Sequence, residues 1–114
     1  MEERRRLKRK YLAFFTRVFD HSTGILLGHL ADITAEGMMI ISTHPIETGQ
    51  EYKLSMDLPE YFFGRDHLAF KARSVWCRPD IDPTFFNTGF QFETIMPEGI
   101  AIIEQIIQEY GIRE

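Results

Sequence analysis

The sequence predicts an all-β domain with one C-terminal helix, built from six short antiparallel strands closed into a small barrel or packed as a sandwich. Three observations predict it. Runs rich in aromatic and β-branched residues alternate with Gly-, Pro-, Asp- and Ser-containing turns from residue 11 to residue 94. The connections between those runs are of hairpin length. Past Pro97 the hydrophobic period changes from two to that of a helix. The 114 residues are the length of one domain, and 44% hydrophobic with 26% charged residues is ordinary for a folded chain. A single cysteine, Cys77, excludes an intrachain disulfide framework and a multi-thiolate metal site. No apolar run approaches the roughly 20 residues of a membrane helix. No signal-like apolar stretch follows the charged start, so a cytoplasmic location is expected.

The elements follow in order. Residues 1–10 form a basic arm: Arg4, Arg5, Arg6, Lys8, Arg9 and Lys10 place six bases in seven positions. Residues 11–114 hold seven bases and fifteen acids, a balance of −8. An acidic body behind a basic arm suits a small anionic ligand, a short nucleic acid or an acidic protein surface, and argues against a binder of bulk nucleic-acid polymer. Residues 11–20 are apolar on both faces and read as the first strand, 21–24 as a turn, and 25–34 as the second strand of a hairpin. Ala35-Glu36-Gly37 is a tight turn in which Gly37 is expected at positive φ. Residues 38–42 are a short apolar strand and 45–49 a loop. Residues 51–58 alternate cleanly, with Tyr52, Leu54, Met56 and Leu58 on the buried face. Residues 59–67 read as a longer loop. In strand 68–78, Leu68, Phe70, Ala72 and then Val75 are expected inward, which requires a bulge. A Pro/Asp loop at 79–83 leads to the last strand, 85–94. In the helix, 97–111, Ile100, Ile103, Ile107 and Tyr110, flanked by Ile102 and Ile106, form a broad apolar face expected to pack on the barrel, with Gly111 as its stop. The whole is read as one domain, with the arm at 1–10, the barrel at 11–96 and the helix at 97–111.

Little in the chain suits catalysis. His21, His29, His44 and His67 lack ligand spacing, and Cys77 has no basic neighbour but Arg78. No phosphate-binding glycine loop and no nucleophile elbow is present, so neither an enzyme nor a metal site is expected. Two motifs stand apart. One is Arg5-Arg6-Leu7-Lys8-Arg9, an Arg-x-x-x-Arg spacing in the arm. The other is Asp32-Ile33-Thr34-Ala35-Glu36-Gly37, an acid, a hydroxyl and a glycine at a strand-to-turn junction. Alone, the first reads as a solubilising tail and the second as turn chemistry.

In this order and at this separation the two motifs resemble the PilZ domain, a bacterial six-stranded β-barrel family that binds cyclic di-GMP. The resemblance extends to Gly28–Thr34 as the strand entering the second motif, to Ala72-Arg73-Ser74-Val75-Trp76, and to Asn87-Thr88-Gly89-Phe90-Gln91-Phe92. It implies a six-stranded antiparallel barrel and a non-enzymatic second-messenger sensor. It also implies that Arg5 and Arg9 grip guanine or phosphate with their bidentate forks. Asp32 would accept from guanine N–H donors, Thr34 would offer its hydroxyl, and Gly37 would allow close approach. Arg4 and Lys8 would add further contacts; a base at Arg4 goes in the family with a stacked ligand dimer. Thr34 stands where the family usually has Ser, and its added methyl crowds the ligand. Ordering of the arm on binding would be the output, read by a separate downstream protein in motility, surface attachment or exopolysaccharide control. The alternative is a PilZ-like interaction module that does not bind the nucleotide and works through the aromatic segment Tyr61-Phe62-Phe63-Gly64-Arg65 or the Ile-rich helix.

Overall fold

The computed structural model describes residues 16–62 and 64–110. Six strands and one helix follow in sequence: β1 (Arg17–Asp20), β2 (Leu26–Ile33), β3 (Gly37–Ser42), β4 (Glu51–Phe62), β5 (Arg65–Pro79), β6 (Phe86–Thr94) and α1 (Pro97–Tyr110). The strands form a closed antiparallel barrel in the order β1-β2-β3-β6-β5-β4, with β4 returning to pair with β1. The choice between barrel and sandwich is thereby settled: every strand has a neighbour on both sides, so no edge is left open.

Alternation supplies the core. Met38, Ile40 and Ser42 of β3, Leu54 and Met56 of β4, and Leu68, Phe70, Ala72 and Ser74 of β5 all point inward. Ser74 is the polar member of this inward row. Its hydroxyl donates to the Glu47 carbonyl at 2.6 Å and accepts from the Gln50 amide at 3.2 Å, which ties the 43–50 loop to β5. The helix closes the core: Ile102, Ile103 and Ile106 are buried in the same apolar cluster as Val18, Leu30, Leu54 and Phe70.

Several sequence expectations need correction. Residues 59–62 and 65–67 are strand and not the loop expected over 59–67. β4 and β5 run on past Leu58 and Leu68 to meet at a tight turn, where Phe62 pairs with Arg65 and Gly64 takes φ +76°. Val75 does not point inward. It is 48% exposed, because the inward alternation continues to Ser74 and the bulge falls at Val75 itself. Ile100, expected on the buried face of the helix, is 48% exposed; the covered stripe runs through Gly99, Ile102, Ile103 and Ile106. The first strand begins at Arg17 within the described residues, and the arm, residues 11–15 and Gly111 lie outside them.

Two bulges shape the outer wall. In β2 the register with β3 slips between Leu30 and Asp32. Leu30 and Ile33, three residues apart, therefore both point inward, and Asp32 turns outward. In β5 the register with β6 slips between Ser74 and Trp76, which turns Trp76 outward in the same way. Strict alternation from Leu30 and from Ser74 would have buried both side chains.

Candidate functional site

The two bulges bring Asp32 and Trp76 into one line. Asp32 pairs with Met39, Met39 with Gly89, and Gly89 with Trp76, a single outward row across β2, β3, β6 and β5. Beside it lies an open pocket of about 430 Å³. Asp32, Thr34, Glu36, Gly37 and Met39 line one side of it, and Val75, Trp76, Gly89 and Gln91 the other. The structure thus brings together the three predicted site residues that it describes. Arg4, Arg5, Lys8 and Arg9 lie outside the described residues.

The β2–β3 connection is held by its own side chains. Asp32 Oδ1 accepts from the Ile33 amide at 2.8 Å. Thr34 Oγ1 accepts from the amides of Glu36 and Gly37, both at 3.3 Å, and the Thr34 amide donates to the Gly37 carbonyl at 2.8 Å. These are the turn bonds expected of hydroxyl and carboxylate side chains at a strand end. Gly37 is not at positive φ, contrary to expectation: the described glycines with positive φ are Gly24, Gly49 and Gly64. Its requirement is proximity. A Cβ on Gly37 would run into the Phe90 carbonyl oxygen on β6, so only glycine lets β3 start flush against β6 at the pocket floor.

Trp76, Val75 and Gln91 were not singled out as site residues from the sequence. A readable signal existed: glycine in a strand interior marks close approach by another group. A Cβ on Gly89 would collide with the Trp76 indole, so Gly89 is the bed on which the ring lies. Among the described residues the lining contributes the carboxylates of Asp32 and Glu36 and no cation. An anionic ligand held there needs positive charge from elsewhere.

The remaining polar groups are spread thinly. Among the described residues no three His, Cys, Asp or Glu side chains gather into a metal-binding group. His67 contacts Asp66 at 3.0 Å and His44 contacts Thr43 at 3.1 Å, both on the surface. The Cys77 sulfur accepts from the buried Thr88 hydroxyl at 3.3 Å. Asp80, in the β5–β6 loop, accepts from the Asn87 side-chain amide at 2.9 Å, and that bond holds its carboxyl below the usual carboxylate range. No helix among the described residues is long and apolar enough to cross a membrane.

Comparison with known proteins adds three findings. A search of curated protein sequences finds no match. Among solved structures the chain is similar to the Bacillus subtilis inhibitor of motility MotI/DgrA, with TM-score 0.64 and 16% identity over 82% of this chain and 44% of that one. It is also similar to the PlzA protein of Borreliella burgdorferi, solved in complex with c-di-GMP, with TM-score 0.55 and 11% identity over 90% of this chain and 47% of that one. The chain therefore spans less than half the length of either neighbour. The sequence profile described as PilZ domain matches residues 3–109, nearly the whole chain, and this chain belongs to the PilZ domain family.

Proposed function

We propose that the protein is a non-enzymatic sensor of cyclic di-GMP whose binding site joins the outer pocket at Asp32, Thr34 and Gly37 to the basic arm. The observation that carries this reading is the pocket itself. It is lined by the second family motif, has an aromatic wall at Trp76, and draws no cation from the described residues that line it. Thr16, the first described residue, lies close by. The Thr16 carbonyl accepts from the Leu30 amide at 2.9 Å, two residues before Asp32. Arg9 is seven residues from Thr16, a span of at most about 25 Å of extended chain. Arg5 and Arg9 then supply bidentate contacts to phosphate or to guanine O6 and N7, Asp32 accepts from a guanine N–H, and Trp76 forms the aromatic wall. Arg4 and Lys8 add charge. Settling of the arm over the pocket is the signal, passed to a protein partner. Binding in the PlzA complex supports the ligand assignment by family, as does the matched PilZ domain.

Calorimetric titration with cyclic di-GMP, with GTP as control, tests the reading. Saturable binding of the cyclic dinucleotide alone is expected, lost in Arg5→Ala and Arg9→Ala without change in the unfolding curve. A stoichiometry of two ligands per chain would assign Arg4 to a ligand dimer. Trp76 is the sole tryptophan, so its emission reports on this pocket alone. A flat trace from folded protein would overturn the sensor and favour a second reading, a protein-interaction module. One observation favours that reading: the Thr34 hydroxyl is already engaged by its own turn. Its surface would then be the aromatic segment 61–65 or the helix.

A further inference from the structure

We propose that Arg78 is a second anion anchor of this site, carried by the barrel wall, and that it takes a phosphate of the bound cyclic dinucleotide. The inference rests on the cyclic di-GMP reading above.

Four arginines lie within the described residues. Arg17 is paired with Asp57 at 2.8 Å, Arg65 with Glu98 at 2.6 Å, and Arg73 with Glu93 at 2.9 Å. Arg78 is exposed and makes no ion pair among the described residues. Its guanidinium lies instead over the Trp76 ring, 4.8 Å from the centroid. The indole is itself bedded on Gly89. A guanidinium held against a fixed ring loses less rotamer freedom on binding, and stacking leaves its N–H donors uncommitted.

The nearest acid along the strand does not pair with it. Asp80 follows Arg78 by two residues, at the close of the same outward series. Its Oδ1 is taken by the side-chain amide of Asn87, the cross-strand partner of Arg78, and its Oδ2 accepts from the Asp82 amide at 3.3 Å. Asn87 thus orients the Asp80 carboxylate, which makes no ion pair with Arg78. An unpaired fork stands next to the aromatic wall of a pocket whose own charged groups are two acids. That arrangement suits a ligand that presents a phosphodiester to the fork.

The test titrates cyclic di-GMP into the wild type, Arg78→Gln, Arg78→Lys and Asn87→Ala, following heat and Trp76 emission at two salt concentrations. Arg78→Gln should weaken binding about tenfold or more, Arg78→Lys less, and Asn87→Ala in the same direction as Asp80 is freed to pair with Arg78. Affinity of the wild type should fall more with salt than that of Arg78→Gln. Wild-type affinity in Arg78→Gln would overturn this inference and leave the sensor standing. Equal weakening in the Gln and Lys variants, with equal salt dependence, would also overturn it, because the arginine would then act only by packing on Trp76. Absence of binding in the wild type would overturn the sensor reading together with this one.

Discussion

Gly37 and Gly89 show how little side chain the pocket wall tolerates. At both positions the space for a Cβ is already filled, by the Phe90 carbonyl in one case and by the Trp76 indole in the other. Gly37→Ala should cost the barrel about 1–3 kcal/mol, because strand backbone on β6 has to move; urea unfolding measures it. The same substitution tests whether glycine at this motif position serves the ligand or the fold. The close approach to Phe90 predicts that stability falls along with any loss of binding. Ser74 makes the complementary point. Ser74→Ala leaves the Gln50 amide and Glu47 carbonyl without their side-chain partner, at a cost of about 1–3 kcal/mol by the same measurement.

At the scale of elements, the bulges of β2 and β5 decide what the strands present. Alternation was legible in residues 51–58 and 68–74, since each strand there has one wet and one dry face. The β5 bulge could be foreseen, but its direction could not. Val75 is as apolar as a core residue, and only the buried bonds of Ser74 to the 47–50 loop explain why serine points in and valine out. The extension of β4 and β5 through 59–67 was illegible for a related reason: Pro59 and Gly64 look like loop residues, and cross-strand pairing overrides that local preference. Of the site, Asp32, Thr34 and Gly37 were readable as a motif. Trp76 was not assigned to it, because its neighbours come from β6, thirteen residues on. The helix separates its own faces in a way that mutation can check. Ile102→Ala should destabilise by about 2–5 kcal/mol, and Ile100→Ala by no more than about 0.5, in thermal or urea unfolding.

Across the whole molecule, exposed carboxylates are held in their charged form by local bonds. Asn87 lowers the pKa of Asp80, Thr84 that of Asp82, His67 that of Asp66, and Arg73 that of Glu93. A carboxyl whose folded pKa is depressed stabilises the fold above its unfolded pKa, and that contribution is lost as pH falls through the folded value. Stability should therefore be flat near neutrality and decline below about pH 4. Asn87→Ala should be less stable than wild type at pH 7, with the gap narrowing on acidification; denaturant midpoints across pH 2–7 would show it. The strand order has a consequence in time. Hairpins β2–β3 and β4–β5 join residues close in sequence, but closure needs Val18 to find Met56 and Met38 to find Phe90. Loop entropy has to be overcome before either distant contact is made, which places folding in the millisecond-to-second range typical of barrels rich in non-local pairs. The two hairpins can zip early. The seam between β3 and β6, which forms the floor of the pocket, spans the longest loop and is expected to form last, so a newly made chain acquires this pocket only as folding ends.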